Sequence, residues 1–457
     1  MSQPKQRPHS AKLTEGPVTR GLFKLSLPMV WGLFSVIAFN LADTYFIGQL
    51  GANELAAISF TTPIVLVITS LAIGLGTGTS SILARTIGQG DRDRLRRIAT
   101  DSLILTALVS VLLMWIGLKS IESLFSVMGA EPAVLVLIHE YMGIWYLGLP
   151  FLVLPMVGNS SLRAQGNTLF PSLIMFIAAL VNVILDPILI FGLFGAPRLE
   201  MQGAAIATVL ARMVTLIAAL WMLGVKEKLL VFAVPGRQQL WQSWVAIFHV
   251  GLPAAGTNVV VPLGMAVVTA LMASFGANAV AALGVATRIE AFSIISLFAL
   301  ASSLGPFVGQ NAGAGKRARV IRVVQGANIM ALVWGLFIAA ILFFISEPVV
   351  KLFSENESVI AMAKSYLIII SISYGFQGML MVNSSTFNAL GKPLPSTLLS
   401  LGRMFLLYVP MALVAKTYWG TQGIFIVAAL ANVISGVVAF AWAKSALTKM
   451  GYPLWQR

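Results

Sequence analysis

The amino-acid sequence predicts an all-α polytopic membrane protein with twelve transmembrane helices in two six-helix bundles. Three observations lead to this fold class. The composition is too apolar for a water-soluble chain, the apolar residues form runs long enough to cross a bilayer, and the second half of the chain repeats the first. Two repeats of six helices enter the membrane from the same side, which implies a pseudo-two-fold axis along the membrane normal.

The composition identifies lipid as the solvent for much of the surface. Of the 457 residues, 58% are hydrophobic and only 10% are charged, and the mean hydropathy is +0.90. Soluble globular proteins contain about 45–50% apolar and about 25% charged residues. A soluble fold could not bury this much apolar surface, so we expect the chain to lie in a membrane.

The apolar runs give the number of spans, since a helix needs about 20 apolar residues to cross the hydrocarbon. Polar gaps between the runs are short, so no soluble domain is expected between them. The twelve predicted spans are residues 22–47, 56–82, 99–119, 134–157, 168–194, 201–224, 245–273, 280–308, 325–346, 359–386, 396–416 and 421–443.

Basic residues set the orientation. With the N-terminus inside, 23 of the 30 Lys and Arg residues fall in inside segments, 4 fall outside and 3 lie within spans. This asymmetry favours an integral protein of the bacterial inner membrane with both termini in the cytoplasm. It also accounts for the net charge of +14 without a nucleic-acid partner. We expect no removable signal peptide, because the first ~20 residues are polar and basic and contain no short apolar run that ends in a cleavage site.

An internal repeat divides the chain. Leu27-Pro28 recurs as Leu252-Pro253, and the Gly-Ala-Asn at 51–53 recurs at 276–278. The stretch GNSSLRAQGNTLFPS has a counterpart in VNSSTFNALGKPLPS. The predicted organisation is a cytoplasmic tail (1–20), an N-lobe (21–225), a cytoplasmic linker (226–243), a C-lobe (244–446) and a second tail (447–457).

Several kinds of chemistry are excluded or disfavoured. The chain has no cysteine, so disulfides, zinc–thiolate sites and cysteine nucleophiles are ruled out. Its three histidines are far apart, and the sequence contains neither a metalloprotease, a hydrolase nor a phosphate-loop motif. We therefore expect a protein that is not an enzyme and that uses no cofactor and no bound metal.

Two acidic residues within spans are the strongest functional candidates, because a carboxylate in hydrocarbon is costly and normally faces a cavity or a partner. Asp43 lies near the outer end of the first span. Asp186 lies near the outer end of the fifth, with Asn182 one turn earlier on the same face. Together with the Val183 carbonyl that Pro187 leaves unpaired, they could hold a proton or a small cation. The alternative is that both acids only join neighbouring helices.

The roles of three further residues are open. Glu290, two positions after Arg288 in the eighth span, is either a functional acid or a structural partner within the bundle. Pro28 and Pro253 occupy equivalent points of the repeat. Each is either a hinge inside its helix or an ordinary helix-start proline.

The motifs resemble those of the multidrug and toxic compound extrusion (MATE) family. The resemblance is carried by the Leu-Pro opening and by LADTYFIGQLG, GNSSLRAQGN, NVILDPILIFGLFG, QGAAIAT and GQNAGAGK, and it covers roughly residues 20–445. It implies an efflux antiporter of two six-helix lobes, driven by protons or by sodium ions.

The family resemblance also assigns a branch. Val261 stands where the sodium-driven NorM-like branch has a glutamate, and the tenth span has no acid. The chain is more similar to the DinF-like branch, whose functional acids lie in the N-lobe. That similarity implies a coupling site of Asp43, Asn182, Asp186 and Thr208, with Asn159 as a weaker addition. In that branch protonation of the first aspartate bends the first helix and ejects the drug.

The expected function is secondary multidrug efflux by alternating access, with amphiphilic, often cationic compounds leaving in exchange for H⁺. Sodium held by Asp43 and Asp186 is the alternative coupling ion. A flippase or exporter of lipid-linked or metabolite substrates is the alternative on the same fold, although its cleft would be expected to be basic rather than acidic. We expect the chain to act as a monomer whose partners are small-molecule drugs and membrane lipid.

The topology can be tested with single cysteines, because the natural chain has none. In intact cells a membrane-impermeant maleimide should label Glu54→Cys but not Arg92→Cys or Arg317→Cys, which become reactive only after permeabilisation. Labelling of position 92 or 317 from outside would show that the orientation is wrong.

Overall fold

Every regular element that the structure describes is helical. The computed structural model describes residues 11–231, 233 and 236–452. A 3₁₀ turn, Lys12–Thr14, precedes the first long helix. The helices of the first half are α1 (Val18–Gly48), α2 (Ala52–Gln89), α3 (Arg92–Val127), α4 (Pro132–Leu147), α5 (Leu149–Ala164), α6 (Leu169–Phe191) and α7 (Glu200–Trp221).

The second half repeats the pattern. A π-helical turn, Met222–Lys226, follows α7, and another, Gly402–Tyr408, joins the last two helices. The helices are α8 (Arg237–Ala273), α9 (Ala277–Ser293), α10 (Ile295–Gly313), α11 (Arg317–Lys351), α12 (Glu357–Ser371), α13 (Tyr374–Ala389), α14 (Leu394–Leu401) and α15 (Val409–Lys449).

The prediction of twelve membrane spans is confirmed. Among the described residues, 8 helices are long and apolar enough to cross a bilayer, and 3 bent pairs each do so together. The pairs are α4 with α5, α9 with α10, and α12 with α13. The helical segment Leu394–Lys449 comprises α14, the second π-helical turn and α15. It contains two spans, because Gly420 within α15 has non-helical angles of φ 57° and ψ −141°. Most helices extend past the apolar runs, since polar residues continue them beyond the hydrocarbon.

The chain folds into two compact units. The N bundle comprises Pro28–Thr86 and Asp91–Ala255, and the C bundle comprises the described residues of Met1–Leu27, Ile87–Gly90 and Gly256–Arg457. Three of the boundaries lie within helices, in α1 after Leu27, in α2 after Thr86 and in α8 after Ala255. Each of these helices therefore contributes to both units.

Pro28 lies at the first of these boundaries. It is inside α1, ten residues after the helix begins at Val18, and the helix is continuous through it. Proline has no N–H, so the carbonyl of Lys24 has no helical donor at this point. The helix-start alternative for Pro28 is therefore wrong. Pro253 is likewise inside α8.

The N-terminal segment packs into the C bundle. Leu22 and Leu25 are buried in its hydrophobic core. The backbone N–H of Leu13 donates to Oε1 of Gln310 at 3.2 Å, and Nδ2 of Asn311 donates to the Leu13 carbonyl at 3.0 Å. The motif GQNAGAGK thus supplies the side chains that hold the start of the chain.

The segment between the halves is fastened to the N bundle through α3. Asp101 is fully buried and accepts from Nε of Arg97 at 2.8 Å and from the Ser243 hydroxyl at 2.8 Å. The indole of Trp244 donates to the Asp101 carbonyl at 3.0 Å. Asp101 stands near a predicted span end, where a solvated carboxylate is expected. It is buried instead because the beginning of α8 covers it.

Glycines allow close helix approaches inside each bundle. In the N bundle, a Cβ at Gly78 of α2 would collide with the Ile247 carbonyl of α8. In the C bundle, a Cβ at Gly335 of α11 would collide with the backbone of Gly375 in α13. A Cβ at Gly326, also in α11, would meet nothing within 4 Å.

This contrast predicts opposite effects of one substitution at two sites of the same helix. Gly335→Ala should destabilise the protein by about 1–3 kcal/mol, the usual cost of overpacking. Gly326→Ala should be neutral or stabilising, because alanine is the better helix former. Melting temperatures in detergent provide the comparison. Equal melting temperatures for the two variants would contradict the close approach of α11 and α13.

Candidate functional site

Asn182 and Asp186 form a buried polar pair on α6. Both are fully buried, and Nδ2 of Asn182 donates to Oδ1 of Asp186 at 3.0 Å. Their spacing of four residues places the side chains on one face of the helix. Oδ1 of Asn182 and Oδ2 of Asp186 are buried without a hydrogen-bond partner in the described structure. Pro187 follows within α6 and leaves the Val183 carbonyl without its helical donor.

Asp43 belongs to the same group. It interacts electrostatically with Asp186, and its Oδ1 is buried with no hydrogen-bond partner among the described residues. Asp43 lies five residues before the end of α1, and Asp186 lies five residues before the end of α6. At ~1.5 Å per residue, both carboxylates lie about 7 Å from the ends of their helices. The two acids therefore occupy equivalent positions near the ends of α1 and α6.

Arg212 on α7 is the cation of this group. It interacts electrostatically with Asp43, and its guanidinium lies over the ring of Phe39, with 5.6 Å to the centroid. Phe39 is one turn before Asp43 on α1, so Arg212 faces the segment that carries the aspartate. The group thus contains two carboxylates and one guanidinium, and the guanidinium interacts with the carboxylate of Asp43.

Tyr141 on α4 completes the group. It is buried and interacts electrostatically with Asp43, Arg212 and Asp186. Sequence reasoning missed it, because a tyrosine near the start of an apolar run carries no distinctive pattern. The sequence identifies Arg212 as one of three basic residues within spans. It does not show that the side of α7 that carries Arg212 is turned toward Asp43.

Thr208 and Asn159 are buried in the N bundle as well. Thr208 is one turn before Arg212 on α7 and is 3% exposed, and Asn159 on α5 is 4% exposed. Oγ1 of Thr208 and Oδ1 of Asn159 have no hydrogen-bond partner in the part of the chain that is described. The structure therefore brings Asp43, Asn182 and Asp186 together and adds Arg212 and Tyr141. No described hydrogen bond joins Thr208 or Asn159 to the carboxylates.

Glu290 lies in the C bundle with partners of its own. It accepts from the hydroxyl of Tyr366 at 2.6 Å and interacts electrostatically with Arg403. Arg403, in the π-helical turn, donates to Oδ1 of Asn432 at 2.8 Å, and Asn432 donates to the Ser373 hydroxyl at 3.0 Å. This network joins residues of the bent pair α9 and α10, of the bent pair α12 and α13, and of the segment that contains α14, the π-helical turn and α15.

The polar atoms of the N-bundle site can serve two kinds of ligand. Buried oxygens without partners are rare, because each costs about 1–3 kcal/mol. A proton on one carboxylate would convert an acceptor into a donor and satisfy a neighbouring oxygen. Carboxylate, amide and hydroxyl oxygens are also ligands for a hard cation such as Na⁺.

The family model MatE matches this chain over residues 28–188 and 253–414. The chain belongs to the MATE family. The two matched segments begin at the two Leu-Pro prolines, so the family match falls on the internal repeat. The prediction of a MATE transporter is confirmed, whereas assignment to the DinF-like branch stays a prediction.

Similar proteins cover nearly the whole chain. A Shewanella oneidensis protein named FAD transporter is 39% identical over 94% of this chain and 96% of its own length. The Bacillus subtilis protein named probable multidrug resistance protein YoeA is 26% identical over 88% of this chain and 89% of its own. The crystal structure of the Vibrio cholerae MATE transporter VcmN in the bent form is 30% identical, with a TM-score of 0.89, covering 94% and 97%.

Proposed function

We propose that this MATE transporter exports an organic compound in exchange for H⁺, with Asp43 and Asp186 as the proton carriers. The observation that carries the proposal is the pair of interacting carboxylates in a membrane-embedded bundle, each with a buried oxygen that has no partner in the described structure. An ionisable group inside a membrane helix normally marks an ion or substrate pathway.

The charges of the site explain why it would exchange a proton. With both aspartates ionised and Arg212 charged, the site has a net charge of −1, and one bound proton makes it neutral. Two carboxylates near one another do not both ionise easily. The site is thus suited to alternate between a dry, protonated form and a wet, ionised form, as alternating access requires.

The same charges favour H⁺ over Na⁺. Arg212 already neutralises one of the two carboxylates and supplies no ligand oxygen, so only one net negative charge remains to hold a Na⁺ ion, which needs several oxygen ligands. Val261 in α8 also leaves the C bundle without the glutamate of the sodium-driven branch. Sodium remains the alternative ligand, held by oxygens of Asp43, Asn182 and Asp186.

Coupling to cargo release would run through α1. The helix carries Asp43 in the N bundle and contributes Leu22 and Leu25 to the C bundle, and Pro28 lies at the boundary. Loss of charge at Asp43 would allow the outer part of α1 to repack against α6 and α7. Bending at Pro28 would absorb the change, because the Lys24 carbonyl there lacks its helical donor. This sequence of events is the one expected of the DinF-like branch.

A flavin dinucleotide is the leading cargo. The full-length identity of 39% to a protein named FAD transporter favours it over the drugs for which relatives of 26% identity are named. Cationic amphiphiles remain the second candidate cargo, as the acidic site suggests. For both cargoes we propose the bacterial inner membrane as the location, with the termini in the cytoplasm.

Transport by purified protein in liposomes tests the proposal. Vesicles preloaded with FAD or with a cationic dye should lose cargo faster when the outside is acidified in sodium-free buffer, and a sodium gradient at fixed pH should have no effect. Asp43→Asn should abolish the pH-driven loss, because a proton can no longer be exchanged there. Glu54→Gln, at the outer start of α2, is the control and should behave like the wild type.

A double variant separates coupling from folding. Asp43→Asn also leaves Arg212 without its acid, and an unpaired buried charge can destabilise the protein. Asp43→Asn/Arg212→Gln removes both charges, so it should fold at least as well as the single variant and still fail to use the pH gradient. Full pH-driven export by either variant, or strict dependence on sodium in the wild type, would refute proton coupling through Asp43.

A further inference from the structure

Three basic residues lie within the predicted spans, and the structure provides acidic partners for two of them. Arg212 has Asp43 in the N bundle. Lys364 on α12 forms an ion pair with Glu347 of α11 at 2.8 Å. Arg288 on α9 has neither a hydrogen bond nor an ion pair with any described residue, and its side chain is exposed.

Arg288 lies inside the hydrocarbon part of its span. It is eight residues past residue 280, where the predicted span begins, and α10 continues the helical pair to Gly313. At ~1.5 Å per residue it lies about 12 Å below that end of a hydrocarbon layer of about 30 Å. A bare guanidinium at this depth is unfavourable by several kcal/mol and normally faces a water-filled cavity.

The fully exposed residues beside Arg288 are small. They are Ala281, Gly284 and Ala291, with Val285 and Phe292 partly exposed at the edges of the same side of α9, and a Cβ built at Gly284 would meet nothing within 4 Å. By comparison, the exposed face of α11 carries bulky apolar side chains such as Val333 and Leu336. Small residues and open space beside a guanidinium leave room for a polar group to approach it.

The nearest acid in sequence does not serve as its partner. Glu290 is two residues further along α9, so it points to a different side of the helix. Its carboxylate accepts from the hydroxyl of Tyr366 and interacts electrostatically with Arg403. No acid in the described part of the chain pairs with Arg288, so its charge is available to a group from outside the chain.

We propose that Arg288 binds an anionic group of the exported compound, and that this group is a phosphate. The inference rests on the proposed function, export of an organic cargo, and specifies its chemistry. A guanidinium presents paired N–H donors that match two phosphate oxygens, and it stays charged at any physiological pH. In this proposal the acidic site of the N bundle binds the proton, and a basic residue of the C bundle binds the cargo. The acidic residues of the N bundle therefore do not by themselves require a cationic cargo.

Flavins allow a direct test, because riboflavin, FMN and FAD share one ring system and differ in phosphate. We would measure their binding to the purified protein in lipid-free detergent by quenching of flavin fluorescence. Arg288→Gln should weaken FAD and FMN binding about tenfold or more, the usual effect of losing a charge-assisted hydrogen bond. Riboflavin binding should not change, and Arg288→Lys should restore part of the FAD affinity. Arg198→Gln, an exposed arginine after α6, is the matched control and should bind all three flavins like the wild type.

Each other outcome counts against the inference. Equal FAD affinity of Arg288→Gln and the wild type, an equal loss for riboflavin, or no binding of FAD or FMN by a wild-type protein that exports a cationic dye would overturn it. A second comparison uses nanodiscs that contain anionic lipid. If wild type and Arg288→Gln bind FAD equally well there, although they differ in detergent, the phosphate that Arg288 binds is that of a lipid headgroup, and the inference is overturned. Binding is measured without a gradient, so these results are independent of proton coupling. Proton coupling is refuted only by the liposome experiment described above.

Discussion

The interaction of two aspartates with each other, and of one of them with an arginine, inside a membrane-spanning bundle is the constraint on which the rest of this molecule depends. Asp43 and Asp186 come from helices far apart in sequence, and Arg212 comes from a third. In lipid none of these charges can be left to bulk water, so the three helices must keep them together or admit water to them. Under the proposed function, the helix bundle around the site also controls whether water reaches it.

Three long helices, α1, α2 and α8, have residues in both units, and α1 carries Asp43. Repacking at the outer part of α1 concerns the N bundle, whereas its first residues are fixed in the C bundle by Leu22, Leu25 and the bonds from Gln310 and Asn311. The first turns of α8 are held in the N bundle by Asp101. Asp43 thus lies on a helix that has residues in both units.

Much of this could be predicted from the sequence, and the remainder could not for physical reasons. Hydropathy located all twelve spans because a helix must have about 20 apolar residues to cross a bilayer. The internal repeat was visible because Leu-Pro and Gly-Ala-Asn recur in the second half of the sequence. The Asn182–Asp186 pair was predictable because a spacing of four fixes a helix face. The partnership of Arg212 and Tyr141 with Asp43 depends on how helices rotate against each other, which periodicity in an almost wholly apolar run does not encode. Burial of Asp101 depends on a segment more than 130 residues away.

The central claim is that proton and cargo exclude each other through Asp43 and Asp186, and proton release on cargo binding tests it most directly. In weakly buffered detergent solution near neutral pH, adding the transported compound to wild-type protein should release about one proton per chain, since the cargo favours the ionised site and linkage is reciprocal. Asp43→Asn should bind cargo with little or no release. Cargo binding to the wild type without proton release, or equal release from Asp43→Asn, would contradict the claim.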